Sequence, residues 1–540
     1  MKSNKVWHSH YPENIAKEIS IPDLSIPQML KDTATNYPNH HCITFYHKKF
    51  TYIELQNLVT LFASSLQKNG IHKGDRVAIM LPNCPQYVIS YYGVLTTGAI
   101  VTQVNPMSVE RELKYLLNDS GSEIIVVLGS LYPLVKSILH DTSVRKIIVV
   151  DFVPNEERYE SATTFEQFLQ EGDGKVEEVA INANEDIAVL QYTGGTTGRS
   201  KGVMLTHSNL LANVIQSKEF FKDSILVAKE RSLSVIPFFH VYGMNISINL
   251  CIYMANEMII LPRFDIVEVL NTIKNEQPTL FPGVPTMYVA IINYPNAEDF
   301  GIDSIKICNS GSAPMPVELL HQFERKTGAK ILEGYGLSES SPTTHCNPAF
   351  AERKAGTVGI GLPSTEYKIV DLATGTKEVP HGEVGELIVK GPQIMKGYWN
   401  MPEETANTLR DGWLFTGDIA MVDEEGYLSI VDRKKDMIIA SGYNVYPREV
   451  EEVIYEHPSV QEAVVIGVPD TYRGETVKAV IVLKSDMNAT EEDIIHFCQN
   501  NMASYKVPRI IEFRDHLPKT NIGKILRRAL RETENSNTVR

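Results

Sequence analysis

Cysteine is sparse and scattered. The chain has six in 540 residues (Cys42, Cys84, Cys251, Cys308, Cys346 and Cys498), and no two form a Cys-x-x-Cys pair. That spacing argues against a disulfide framework and a zinc site, and fits a reducing compartment. Long apolar runs are missing as well. The most apolar stretch, residues 246–261, is interrupted by Ser247, Asn249, Asn256 and Glu257. It falls short of the ~20 residues that a membrane-spanning helix needs. The first twelve residues are polar and aromatic and lack the apolar centre of a secretory signal. There is no basic surplus: the net charge is -15, which disfavours nucleic acid as a partner, because that binding needs cations to replace counterions. A local basic pocket for one anionic ligand remains compatible with it. Together these absences set the expectation of a soluble, cytoplasmic chain. At 43% hydrophobic and 22% charged residues the composition is globular, and the length exceeds one compact core, so at least two domains are expected.

Short β-branched runs recur between helical stretches, at residues 76–81, 123–128, 146–150, 187–192 and 305–309. Each is bounded by Gly, Asp, Asn or Pro, which predicts α/β architecture with parallel sheets covered on both faces. Such sheets bind ligands where loops leave the carboxyl ends of the strands. After about residue 385 the texture changes. Strands are predicted at 386–390, 427–431, 437–439, 463–468 and 477–483, with helices at 449–455 and near 491–500. This reads as a small α+β unit of about 100 residues. The charged run 432–436 marks the boundary, giving domains 1–434 and 435–540; on charge alone the run is also an ordinary solvated turn.

Residues 192–202, Tyr-Thr-Gly-Gly-Thr-Thr-Gly-Arg-Ser-Lys-Gly, follow a strand of the buried type. Glycines let the backbone curl with its N–H groups inward, forming a nest for anions. Thr193, Thr196, Thr197 and Ser200 add hydroxyls, and Lys201 adds a charge. It is not the common P-loop, which needs Gly-Lys followed by Ser or Thr. By composition alone a glycine-rich turn fits about as well as a phosphate cradle.

The segment nevertheless resembles the signature loop of the adenylate-forming superfamily, and further motifs follow in that family's order. They are residues 74–83 (GDRVAIMLPN), 237–240 (PFFH), 310–314 (SGSAP), 333–339 (EGYGLSE), 412–418 (GWLFTGD), Asp432-Arg433 and 518–524 (PKTNIGK). Within the superfamily the chain is most similar to bacterial long- and medium-chain fatty-acyl-CoA ligases. The resemblance implies a large N-terminal domain of stacked mixed sheets and a small mobile C-terminal α+β domain. It implies ATP, Mg2+ and coenzyme A as cofactor and co-substrates, and a two-step reaction through acyl-AMP.

The residue roles it implies are specific. Thr193, Gly194, Gly195, Thr196, Thr197, Gly198 and Lys201 would hold the phosphates, with Gly311, Ser312 and Ala313 beside the nucleotide. Glu333, Gly334, Tyr335 and Gly336 would face the adenine; Ser338 replaces the family's threonine and keeps its hydroxyl. Glu339 would help hold magnesium, a hard cation suited to one carboxylate plus phosphates and water. Asp418, joined by Arg433, would accept the ribose diol, since an ionised carboxylate is acceptor-only; an Asp after Gly is otherwise a local cap. His240 would position and gate the acyl site, and by residue type it is equally a core histidine. His240, Val241, Tyr242, Gly243 and Met244 would line the acyl pocket together with residues 310–314. Gly442 and Tyr443 would line the thiol path, Arg473 would meet a coenzyme phosphate, and Lys435 would be the hinge. Lys524, alone an ordinary surface lysine, would bridge the attacking carboxylate and the α-phosphate.

An aromatic-lined pocket accepts rings as well as chains, so an aryl-acid (coumarate-like) CoA ligase and an adenylate donor to a carrier protein stay open as alternatives. No Asp follows the histidine-aromatic segment and no carrier domain is expected after residue 540, which lowers the amino-acid option. Relatives that act on long chains pair through the large domain or work at membrane surfaces, so a homodimer and peripheral membrane contact are further expectations. Lys524→Ala should lower acyl-adenylate formation by ~10²–10³, the scale for losing one preorganised donor. Acid-dependent exchange of labelled pyrophosphate into ATP measures that step, and near-normal exchange would refute the role.

Overall fold

The computed structural model describes residues 5–152, 159–193, 200–434, 436–440, 443–470, 474–485, 487–520 and 525–531, and among these are four β-sheets. The first runs Ala162–Thr164, Lys146–Val150, Ile124–Leu128, Arg76–Met80, Ile100–Gln103, Ile187–Thr193, all parallel. Lys201–Thr206 and then Gly397–Tyr398 extend it in antiparallel fashion. The central strands are almost wholly buried, which is why their sequence is near-continuous Val and Ile and not alternating.

The second sheet is built from Lys48–Thr51, His41–Phe45, Glu257–Ile260, Arg231–Ser234, Leu280–Gly283, Ile307–Ser310, Lys330–Gly336, Thr343–Cys346 and Ile360–Gly361. Helices Ile26–Asn36, Tyr52–Lys68 and Pro85–Thr96 share one apolar core with both of these sheets, through Phe62, Tyr87, Tyr91, Val203, Phe238 and Met258. Helix Tyr52–Lys68 opens on a capping box in which Thr51 and Glu54 satisfy each other's backbone N–H. It meets helix Pro85–Thr96 at Gly93, where an added Cβ would stand 2.5 Å from the Phe62 ring.

The third sheet is antiparallel: Glu366–Val370, Gly385–Lys390, Trp413–Val422 and Leu428–Arg433, with short Leu409–Arg410 at one edge. The start of the chain packs here. The Trp7 ring lies 4.0 Å from that of Tyr367, and the Tyr11 hydroxyl donates to the Gly361 carbonyl at 2.6 Å. The strands expected at 386–390 and 427–431 therefore belong to this sheet and not to the small C-terminal unit. Leu387, Val389 and Leu428 of these strands join the Trp7 cluster, and as short apolar runs they look in sequence like the α+β texture that follows.

The fourth sheet contains Tyr443–Val445, Ile438–Ala440, Gly474–Leu483, Val460–Asp470 and Ile510–Phe513. With helices Pro447–Tyr455 and Glu491–Asn501 it encloses a core of its own, including Val450, Ile454, Val465, Ala479, Ile494 and Cys498. The fold is thus α/β, a large N-terminal domain of mixed sheets and helices followed by a smaller C-terminal domain. No described helix is long and apolar enough to cross a membrane; the apolar stretch 246–261 is split between a π-helix, Gly243–Leu250, a short helix and strand Glu257–Ile260. Gly93→Ala should cost about 1–3 kcal/mol, the usual penalty for overpacking a core. Thermal denaturation checks it, and an unchanged midpoint would mean that the two helices have room to spare.

Candidate active site

Strand Lys330–Gly336 leaves the second sheet carrying the segment 333–339, and each functional position in it is held by a different neighbour. The Tyr335 hydroxyl donates to Asp418 Oδ2 at 2.6 Å, joining the second sheet to the third. Asp418 pairs with Arg433 across antiparallel strands, and Arg433 Nε lies 3.5 Å from Asp418 Oδ1. Gly336 is required by close approach, since a Cβ there would stand 1.8 Å from the Pro342 carbonyl oxygen. The structure therefore brings together Tyr335, Asp418 and Arg433, which stand far apart in sequence.

Glu339 is bound to the first sheet. Its Oε1 accepts from the Tyr398 hydroxyl at 2.8 Å, and its carbonyl accepts from the Met395 N–H at 2.8 Å. Tyr398 sits on the short strand that extends the first sheet, beside Lys201–Thr206. Lys201 lies 5.0 Å over the Tyr398 ring and pairs with Glu404. Thr193 and Lys201 oppose each other across the mouth of the signature loop, and Ser200 Oγ donates to the Thr193 carbonyl at 2.6 Å. Tyr398 and Glu404 were not found from the sequence. Their signal is contact with residues about 60 to 200 positions away, which no local pattern carries.

The acyl segment is shaped by its backbone. His240 N–H donates to the Pro237 carbonyl at 3.1 Å and Met244 N–H to the His240 carbonyl at 2.9 Å. His240 Nδ1 accepts from the Tyr242 N–H at 3.2 Å, which leaves the ring proton on Nε2 in the neutral form. A Cβ at Gly243 would stand 2.2 Å from the Pro237 carbonyl oxygen, so only glycine fits where the π-helix begins. Tyr242 turns its hydroxyl to Asn309, 2.7 Å from Oδ1, and its ring backs Gly311. The expected neighbourhood of 240–244 and 310–314 is therefore present. Val241 and Met244, however, are fully buried within the main core, so they support the segment and offer no open surface. Ser312 holds a positive φ of 66° and, like Ala313, is half-buried.

Burial governs the electrostatics. The Glu333 carboxyl is 3% exposed and accepts from the Met315 N–H at 3.1 Å. Burial pushes it up to about 7, against the opposing charge of Arg448. Burial also pushes the Tyr335 hydroxyl well up, with the Asp418 carboxylate adding to it, so this phenol stays a donor at neutral pH. Gly194, Gly195, Thr196, Thr197, Gly198, Lys435, Gly442, Arg473 and Lys524 lie outside the described residues, as does the side chain of Tyr443.

Comparison with known proteins agrees with this layout. The model of the family described as AMP-binding enzyme matches residues 30–399, and that of the AMP-binding enzyme C-terminal domain matches 449–524. A long-chain-fatty-acid–CoA ligase of Bacillus subtilis is 47% identical, covering 99% of both chains; one from Escherichia coli is 38% identical over 98% of each. The solved anthranilate CoA ligase in complex with anthranoyl-AMP superposes with a TM-score of 0.90 at 27% identity, covering 96% of this chain and 99% of that one.

The Glu333 carboxyl yields a pH prediction. Its pKa is raised from 4.5 to about 7 on folding, so the folded chain binds this proton more tightly than the unfolded one. Its contribution to stability is complete below pH 4.5 and is lost as pH rises through 7. Glu333→Gln should therefore gain melting temperature relative to the parent chain between pH 5 and pH 8. A difference that does not change with pH would refute the assignment.

Proposed function

The chain belongs to the AMP-binding enzyme family, and from that premise we propose that it activates a long-chain fatty acid with ATP and transfers the acyl group to coenzyme A. The observation that carries this reading is the convergence of Tyr335, Asp418 and Arg433 on one side and Glu339, Tyr398 and Lys201 on the other, all around segment 333–339. The substrate class follows from relatives of nearly full-length similarity, named long-chain-fatty-acid–CoA ligases.

In the first step the fatty carboxylate attacks the α-phosphorus of ATP, the bond to the β-phosphate breaks, and pyrophosphate leaves. Tyr335, fixed by its hydrogen bond to Asp418, offers a rigid ring face to the adenine. Asp418 and Arg433 meet the ribose hydroxyls. The signature loop, Lys201 and Ser338 take the phosphates. Lys524 offsets the charge that builds on the phosphoryl oxygens. A single carboxylate oriented by one hydroxyl, as Glu339 is by Tyr398, fits a hard cation that keeps phosphate and water ligands. When bound, Mg2+ would neutralise phosphate charge there.

In the second step the thiol of coenzyme A attacks the acyl carbonyl and AMP leaves. Adenylation excludes water and thioester formation admits a thiol, and a domain that rotates serves both demands. We place the joint between residues 434 and 435, with Lys435 as the hinge and with Gly442, Tyr443 and Arg473 on the coenzyme side. The flanking ion pairs support this joint. Lys434 is bound to Glu386 of the large domain at 3.0 Å, and Asp436 to Arg531 of the small one at 3.0 Å. His240 positions the acyl group at the start of the π-helix.

A panel of acids from acetate to stearate, with benzoate and coumarate, tests the reading. Palmitate and its neighbours should give acyl-CoA together with equimolar AMP and pyrophosphate. Preference for an aryl acid, or accumulation of free acyl-AMP without thioester, would overturn it.

A further inference from the structure

Helix Pro447–Tyr455 of the C-terminal domain is docked on the large domain, and Arg448 in its first turn makes two hydrogen bonds across the junction. The Arg448 backbone N–H donates to Asp432 Oδ2 at 3.1 Å, and its Nη1 donates to the Ile430 carbonyl at 2.5 Å. Both acceptors lie on strand Leu428–Arg433 of the third sheet. Within its own helix Arg448 meets only Glu452, one turn on, at 3.7 Å. Arg448 is 9% exposed, and its positive charge is the main relief for the buried Glu333 carboxyl of the nucleotide segment. Glu452 completes the contact: its carboxyl faces Arg448 and the backbone N–H of Val317, at the positive end of helix Val317–Thr327.

Arg527 provides the contrast. It lies 3.6 Å from Asp432 but is held principally by Glu451 of its own domain at 2.6 Å. Rotation of the small domain leaves Arg527 its strongest partner. The same rotation takes Arg448 away from Ile430, Asp432 and Glu333 together, and leaves Glu333 buried without its countercharge. Helix Pro447–Tyr455 begins two residues after strand Tyr443–Val445, so the Arg448 contacts hold the end of that strand beside the large domain.

We infer that Arg448 is a positioning residue, tying the C-terminal domain to the wall of the nucleotide site in the arrangement that transfers the acyl group to the thiol. This rests on the two-step activity proposed above. Arg448 touches no reacting atom. Its part is to favour one of the two domain arrangements through contacts that the other arrangement lacks.

Two half-reactions, measured separately on the full chain, test this. One is palmitate-dependent exchange of labelled pyrophosphate into ATP; the other is single-turnover formation of palmitoyl-CoA from supplied palmitoyl-adenylate and coenzyme A. Arg448→Ala should slow thioester formation by about tenfold or more, in line with the loss of one partner from a buried charged contact. Exchange should stay within about twofold, which also reports that the variant is folded. Arg448→Lys, which restores the charge, should recover much of the transfer rate. Equal losses in both half-reactions, a loss confined to exchange, an unchanged transfer rate, or no recovery with lysine would each overturn the inference. Failure of the parent chain to make thioester from palmitoyl-adenylate would instead overturn the functional reading beneath it.

Discussion

Seven consecutive residues, 333–339, are held by three sheets at once, and the site depends on that constraint. The segment emerges from the second sheet, is tied by Tyr335 to Asp418 on the third, and by Glu339 to Tyr398 on the first. Hydrogen bonds to a charged acceptor contribute roughly 1.5–3 kcal/mol each. Their larger effect is geometric, because each bond sets the distance between two sheets that share no backbone ladder at that point. The close approach of Gly336 to Pro342 shows how little slack the arrangement leaves.

The junction between the domains follows a related logic. Asp432 is nearly inaccessible to water, and burial raises its carboxyl to about 6 against the nearby Arg527. Glu333 is in the same situation across the junction, with Arg448 as its countercharge. Such buried charges are poor sources of stability, since desolvation offsets much of their attraction. They are sensitive to arrangement, because a charge left alone in that environment is costly.

Much of this was legible in the sequence, and the reasons differ from element to element. Strand Lys146–Val150 was predicted to the residue because a fully buried parallel strand consists of little except β-branched side chains. The motif residues Tyr335, Asp418, Arg433 and Glu339 were identified by order and type, and the fold gathers Asp418 and Arg433 around Tyr335. The third sheet was not legible as a separate layer, because short antiparallel strands look alike in sequence in either domain. Nor was the π-helix Gly243–Leu250, whose length of apolar sequence fits an α-helix equally well. Tyr398, Glu404 and Arg448 carry no local signature; their importance lies in partners that only the folded chain brings near.

The N-terminal segment has a consequence for how the chain is made. Trp7 packs on Tyr367 and against the backbone at Gly426, partners synthesised some 400 residues later. At translation rates of 5–20 residues per second, these first residues wait roughly 20–80 s for the surface that covers them. Throughout that interval Trp7 is an aromatic side chain without a home on a growing chain, displayed to whatever ribosome-associated chaperone samples it. The large domain cannot close by folding from its beginning onward, and its assembly is completed only when the third sheet has left the ribosome.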